Sequence, residues 1–363
     1  MFALVSLYYI LITKKDIRAL TLEQLTNLFK TINEPSFRAK QVYDWLWAKR
    51  EINFDNMSNL SKPLRDYLQT NFIINAVQIA ELQISNDRTI KCAMKLHDDY
   101  VVESVLIPQG ERMTACISSQ VGCSLTCKFC ATGKLKRMRN LNADEIYDQV
   151  VLIKNTAFEN YNTPLTNIVY MGMGEPLLNY NEVLGSVDKI TNPNGLGMSP
   201  KRITVSTAGV AKMITKLGDD EVKFNLALSL HAANDEKRNH IMPINETNTL
   251  DNLADSLLHF YNKTGNRPTF EYIVFKDFND SLQDAQELVE YCKKVKSKVN
   301  IIEYNAIDDC DFKQTLPERL RAFTNYLEEN NIICNVRRSR GKDIDAACGQ
   351  LANKNKLAQQ LVK

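Results

Sequence analysis

No stretch of this sequence is apolar for long enough to cross a bilayer as a helix. The most apolar run, Phe2–Ile12, is too short, no basic residue precedes it, and no small-residue cleavage site follows it. A membrane span and a signal peptide are both disfavoured. We expect residues 1–13 to be an extension, disordered or a start-site artefact, with the domain proper beginning near Lys14. An excess of one charge is also lacking: 45 Lys and Arg stand against 43 Asp and Glu, a net charge of +2. Any electrostatic footprint must therefore come from local clusters. There is no low-complexity tract and no short internal repeat, which excludes fibrous and disordered classes. Nine cysteines in 363 residues are too sparse for a secreted disulfide scaffold. Three of them fall between positions 123 and 130, which points to metal or redox chemistry in a reducing compartment, the cytoplasm.

What is present divides into regions. Residues 14–88 are helical in pattern: Ile17, Leu20, Leu22, Leu25 and Leu28 recur at two- to three-residue steps, and Val42, Trp45 and Leu46 follow the i, i+3, i+4 rule. Both tryptophans, Trp45 and Trp47, lie here beside Arg38, Lys40, Lys49 and Arg50. Such a region is either a small helical domain with a solvated basic face or an RNA-contacting accessory domain. Residues 89–110 read as a linking hairpin, Thr89–Leu96 and Tyr100–Ile107 about a turn at His97-Asp98-Asp99. From 111 to 340 strand-like runs alternate with helical ones. The strands expected are Met113–Ser118, Asn167–Met171, Arg202–Ser206, Phe224–Ser229, Thr269–Phe275 and Val299–Tyr304, with a last one at Ile332–Arg337. This is the βαβ pattern of a parallel sheet, with too few units to close the usual eight-fold barrel. The fold expected is α/β, a partial (β/α)6 barrel, with residues 341–363 as a tail. In such folds chemistry collects at the C-terminal ends of the strands.

Cys123, Cys127 and Cys130 have the spacing C-x3-C-x2-C on a loop after the first barrel strand. A structural zinc site takes four protein ligands. No fourth Cys or His follows at short spacing, and the nearest upstream histidine is His97. Three thiolates suit a four-iron cluster with one iron left open. Zinc with a distant fourth ligand, or buried free cysteines, remain the alternatives. Further on, Asn167–Leu178 carries a Gly-rich turn that ends in Gly174-Glu175. Glycine permits close backbone approach to a ligand, and a carboxylate accepts from an ammonium group.

The three-cysteine loop on a partial barrel resembles the radical S-adenosylmethionine enzymes. That resemblance implies an open iron chelated by the amino and carboxylate groups of S-adenosylmethionine, whose reductive cleavage yields a 5′-deoxyadenosyl radical. It also implies cofactor contacts from Gly174 and Glu175, from Ser206 in Thr-Val-Ser-Thr-Ala-Gly, from Ser229, Leu230 and His231, and from Asn305 in Glu-Tyr-Asn-Ala. The string Arg340-Gly-Lys-Asp-Ile-Asp-Ala-Ala-Cys348-Gly-Gln-Leu narrows the match to the RlmN/Cfr class of RNA adenosine methyltransferases. Ser118-Ser-Gln-Val-Gly-Cys123 and Met242-Pro-Ile-Asn245 are similar to the same class.

The resemblance implies roles. Carbon 2 of adenine is electrophilic and cannot attack an ordinary methyl donor. In this class Cys348 takes a methyl group from one S-adenosylmethionine, and a second molecule supplies the radical that activates that methyl group. Two are used per turnover. Cys116 is the match for the cysteine that resolves the resulting protein–RNA adduct through a transient disulfide, and Glu103 for the base that removes the ring proton. The implied partners are an adenosine at the peptidyl-transferase centre of 23S rRNA, adenosine 37 of tRNA, and a flavodoxin or ferredoxin as reductant. Two basic clusters, Lys134–Arg139 and Arg337–Lys342, suit phosphate contact at the mouth of the site. The alternatives are carbon-8 methylation of the Cfr type, a non-catalytic iron–sulfur RNA-binding protein, and a radical enzyme acting on a small molecule, which the basic clusters disfavour. One departure is local: Gly-Lys-Leu-Lys-Arg-Met-Arg-Asn-Leu stands where the class has Gly-Phe-x-Arg-Asn-Leu.

Overall fold

The computed structural model describes residues 14–354. The expectations for residues 1–13, and for the tail beyond 354, lie outside the described residues. Two compact units are present.

The first unit comprises the described residues up to Val77 together with Gly185–Met198. Its helices are α1 (Leu22–Thr31), α2 (Phe37–Trp47) and α3 (Lys62–Asn71). Thr21 starts α1 with a capping box: its hydroxyl accepts from the Gln24 amide, and the Gln24 side chain accepts from the Thr21 amide. Ser61 caps α3, where Pro63 sits in the first turn. Leu25, Phe29, Val42, Leu46, Leu64 and Leu68 are buried, so each helix turns one apolar stripe inward.

The second unit holds a ten-stranded sheet in which every strand neighbours the next in sequence. The strands are β1 (Gln78–Ile84), β2 (Ile90–Lys95), β3 (Val101–Gln109), β4 (Arg112–Cys116), β5 (Asn167–Tyr170), β6 (Ile203–Thr207), β7 (Asn225–Ser229), β8 (Thr269–Val274), β9 (Lys298–Glu303) and β10 (Cys334–Arg337). The run β1 to β4 is antiparallel. From β4 to β10 the pairing is parallel throughout. Six helical connections join these seven strands, and no pairing joins β10 to β1 among the described residues. The barrel is therefore open, the partial (β/α)6 architecture that the sequence pattern implied.

The connecting helices are α4 (Ala143–Tyr161), α5 (Tyr180–Thr191), α6 (Ala211–Asp219), the pair α7 (Asp235–Ile241) and α8 (Leu250–Thr264), α9 (Leu282–Lys294) and α10 (Pro317–Glu329). Their ends are written in the sequence. Thr249 caps α8, and Gly265 closes it in the left-handed region at φ 69°. Parallel strands covered on their outer face become nearly continuous apolar runs; Leu226, Ala227 and Leu228 of β7 are all buried.

One stretch departs from the sequence reading. Gln78–Ile84, taken as part of the helical region, is strand β1. Its residues alternate between exposed and half-buried, because one face of an antiparallel edge strand meets solvent. The hairpin expected at 89–110 forms as β2 and β3, and it is built into the sheet through β4.

Leu228 lies fully buried on a central strand. Leu228→Ala should lower the unfolding free energy by about 2–5 kcal/mol, read as a shift of the urea midpoint at constant slope.

Candidate active site

Loops after the parallel strands meet at one rim. The loop after β4 carries Cys123, Cys127 and Cys130, half-buried and free. The Cys130 amide donates to the Cys127 carbonyl, and the Leu125 amide points at the Cys123 sulfur at 3.4 Å. Cys127 and Cys130 pack against an apolar cluster of Phe129, Ala208, Ile241, Met242, Ile273, Phe275, Ile302 and Tyr304. Burial pushes the thiol of Cys123 up to about 11, and the charges of Cys130 and Glu175 add to this. Cys127 is raised by burial and by both neighbouring cysteines. The three sulfurs therefore feel one another.

Gly174 has φ 95°, and a Cβ there would stand 2.5 Å from the Gln120 side chain, so only glycine fits. The Glu175 amide donates to Gln120 Oε1 at 2.8 Å. The Glu175 carboxylate is buried; it accepts from the Ala208 amide at 2.7 Å and the Leu177 amide at 3.0 Å. Burial raises its pKa, and those amide donors oppose the rise. Ser206 and Ser229 face each other across β6 and β7, with hydroxyls 3.4 Å apart. Leu230 takes part through its backbone: its amide donates to the Glu271 carbonyl, and its carbonyl accepts from Arg238 Nε at 3.0 Å.

His231 is buried at φ 56°, with its ring edge-on to Phe129. Its Nδ1 accepts from the Ile273 amide at 3.1 Å, which leaves the proton on Nε2. Burial, then the Arg238 charge, push its pKa down to about 3. Asn305 donates from Nδ2 to the Cys348 carbonyl at 3.3 Å, and its buried Oδ1 has no partner.

The chain after β10 returns across the rim. Asp343 holds it on one side, accepting from Ser85 Oγ at 2.5 Å and the Asn86 amide at 3.1 Å. The Ala131 amide donates to the Gly349 carbonyl at 2.7 Å, and Thr132 Oγ1 to the Leu351 carbonyl at 2.6 Å. Cys348 is thereby carried to the cysteine loop. It is exposed, and yet enough protein surrounds it to push its thiol up, as in a side chain lining a recess. Cys116, at the end of β4, is buried and pushed up to about 12, first by burial and then by the charge of Cys348. Arg337 lowers both thiols and is itself held by Glu271 at 3.3 Å. Glu103 lies on β3, buried, with Lys91 Nζ 3.5 Å from Oε1. Beside Cys127 opens a cavity of about 800 Å³, lined in part by Lys128, Lys134, Lys276 and Lys313.

The donor set fits the cluster and its ligand. Three thiols share one short loop, a buried carboxylate lies within reach of their charge, and the orphaned Asn305 Oδ1 awaits a donor. Among the described residues no three Cys, His, Asp or Glu side chains surround a single-ion position. His97, the nearest upstream histidine, is engaged elsewhere, 3.3 Å from Glu145.

The basic clusters are less free than their sequence implied. Arg139 is bidentate to Asp98 and to Glu145, Arg337 is paired with Glu271, Lys342 with Glu303, and Lys134 donates to the carbonyls of Asp308 and Asp309. Lys136, Arg137, Arg338 and Arg340 remain exposed. The departure from the class pattern maps to the exposed turn Lys136–Met138, while Leu141 is tied back to Ser119. Sequence reasoning missed Arg238, which reads as surface charge in Asp-Glu-Lys-Arg and is fully buried. It also gave no role to Lys91, whose only signal was a charged residue inside a strand-like run, or to Gln120, quoted only as part of the motif Ser118–Cys123.

Residues 117–292 match the radical SAM superfamily model, and this is the class of protein to which the open sheet and its cysteine-bearing rim belong. A radical SAM methyltransferase from Sphaerobacter thermophilus superposes with a TM-score of 0.87 at 36% identity, covering 93% of this chain and 99% of that one. Residues 15–74 match the ribosomal RNA large subunit methyltransferase N-terminal domain. A probable dual-specificity RNA methyltransferase RlmN from Cytophaga hutchinsonii is 62% identical over 94% of each chain. Another with the same description, from Christiangramia forsetii, is 60% identical over 94% of this chain and 97% of its own. The chain belongs to the RlmN family of radical SAM methyltransferases, whose cofactors are S-adenosylmethionine and a 4Fe-4S cluster.

His231 carries a pH prediction. Its folded pKa lies below the unfolded value of about 6.5, so its contribution to stability is complete above that pH. It is lost as pH falls from there toward about 3, at roughly 1.4 kcal/mol per pH unit. Urea unfolding from pH 8 to 5 should show this slope flattened in His231→Gln.

Proposed function

We propose that this enzyme methylates carbon 2 of an adenosine in the peptidyl-transferase centre of 23S rRNA, and of adenosine 37 in tRNAs, through S-methylated Cys348. The observation that carries this reading is the strap: a tail pinned at Asp343, Gly349 and Leu351 holds Cys348 at the cysteine loop and within electrostatic reach of Cys116. A structural cysteine needs no such placement. The description of the relatives as dual-specificity RNA methyltransferases supports the two RNA substrates.

Cys123, Cys127 and Cys130 would hold the cluster through their thiolates. When bound, the cluster supplies the electron that cleaves S-adenosylmethionine and so provides the radical that activates the methyl group on sulfur. Gly174, Glu175, Ser206, Ser229, Leu230, His231 and Asn305 hold the S-adenosylmethionine. Each turnover uses two, one as methyl source and one as radical source. Cys348 attacks the first as a thiolate, and the Arg337 charge eases its ionisation against the desolvation by the surrounding protein. Glu103 takes the ring proton. Cys116 then attacks the Cys348 sulfur as a thiolate, forming a disulfide; the electron pair of the broken sulfur–carbon bond leaves with the carbon, which takes up a proton to complete the methyl group.

A reduced flavodoxin or ferredoxin supplies electrons. Exposed Lys136, Arg137, Arg338 and Arg340 contact RNA phosphates. The first unit contributes further RNA contact through Lys40 and Lys49, the latter 3.4 Å above the Trp45 ring. Trp47 is buried there, and Arg38 and Arg50 bind backbone carbonyls, so these three serve the fold.

Expressed in cells lacking carbon-2 methylation, the enzyme should restore 2-methyladenosine in both rRNA and tRNA digests analysed by mass spectrometry. 8-Methyladenosine in its place would refute the assigned carbon, and unmethylated RNA from an enzyme with an intact cluster would refute the activity. Cys116→Ala should accumulate a protein–RNA adduct on denaturing gels. Cys348→Ala should abolish turnover while the cluster's absorbance is retained.

A further inference from the structure

The carboxylate of Glu103 makes two hydrogen bonds that a ring-proton base does not need. Its Oε2 accepts from the Ala352 amide at 2.9 Å and from the Asn353 amide at 3.0 Å. These amides lie four and five residues after Cys348. Oε1 takes no hydrogen bond and faces Lys91 Nζ at 3.5 Å. Glu103 and Lys91 are both buried, at 1% and 6% exposure, so solvent screens this arrangement little. Asn353 adds a bond from Nδ2 to the Val101 carbonyl at 2.8 Å, on the same strand as Glu103.

We propose that Glu103 has a second role as the latch of the tail, and that the proton it receives opens the latch. The inference rests on the reading of Glu103 as ring-proton base and Cys348 as methyl carrier. With Glu103 ionised, two charge-assisted bonds fix the chain beyond Cys348 and keep the sulfur at the cysteine loop. In the base step the proton leaves the ring carbon for Glu103, and the electron pair of the carbon–hydrogen bond stays with the ring. A neutral carboxyl accepts far more weakly. Its protonation also leaves the buried Lys91 ammonium without its counter-charge, which further favours rearrangement. The tail then loosens at the stage when the Cys348 sulfur must be met by Cys116. One proton thus orders the two steps: resolution follows deprotonation of the ring.

The groups around Glu103 leave Lys91, from β2, as the charge that its carboxylate pairs with. Ser118, after β4, donates to the Glu103 carbonyl, and Met173, after β5, faces its amide through sulfur. On the tail, Lys354 pairs with Asp308 and Asp345.

The test is hydrogen exchange of the tail amides and site-resolved alkylation of Cys348, on the full chain with its cluster and without RNA. In the parent enzyme, protection of the Ala352 and Asn353 amides, corrected for intrinsic rates, should fall on acidification. In Glu103→Gln it should be lower by roughly ten-fold at neutral pH and constant with pH. Ala352→Pro removes one donor and keeps Glu103. It should raise Cys348 alkylation several-fold and speed formation of the Cys116–Cys348 disulfide under diamide. Parent-like alkylation in both variants, or protection in the parent that ignores pH, overturns the latch. A Glu103→Gln enzyme with a loose tail that still methylates RNA at the parent rate upholds the latch and removes the base. One with a parent-like tail and no methylation does the reverse.

Discussion

Seven parallel strands stop at one rim, and the chemistry depends on what holds their ends. A buried guanidinium does much of this. Arg238 donates to the carbonyls of Leu230, Ser229 and Ala208 and to Asn245 Oδ1, so the ends of β6 and β7 and the turn after α7 share one centre. Burying a charge is costly unless its donors are satisfied, and here each guanidinium nitrogen has a partner. The planar fork matches carbonyls pointing from several directions, which an ammonium could not do. The same rim then receives Glu175, whose carboxylate bridges the end of β5 to the amide after β6.

The tail adds the remaining wall of the site. A helix or strand would carry its own backbone bonds, but this segment relies largely on side chains of the sheet and on side-chain and backbone groups of the cysteine loop. Thr132, Asn305 and Glu103 each take one or two of its backbone groups, and its own Asp343 accepts from Ser85 and Asn86. Such a segment can be firmly placed and still release locally, because its anchors are few and discrete. That suits the methyl-carrier role proposed for Cys348.

Much of this was legible along the chain. Parallel strands buried on their outer face become apolar runs, so β4 to β10 could be read with small errors at their ends. The cysteine spacing, the Gly174-Glu175 turn and the string around Cys348 are local, and their resemblance to a known class needed no third dimension. Other features misled because they are not local. Gln78–Ile84 alternates as a strand should, but its neighbours on the N-terminal side are helical. Arg139 and Arg337 look like RNA-binding charge until Asp98, Glu145 and Glu271 are found beside them. Arg238 sits in a run of charge and is buried.

The sequence by itself determined the element order, the cysteine loop and the identity of the residues at each strand end, because periodicity and turn chemistry act over a few positions. Only the tertiary structure decided which charges face solvent, that Glu103 grips the tail beyond Cys348, and that Cys348 lies by the cysteine loop with its charge felt at Cys116. Those relations join residues up to about 250 positions apart, as in the bond from the Asn353 amide to Glu103. Burial alone settles whether such a pair is a loose surface contact or a charge that must be held.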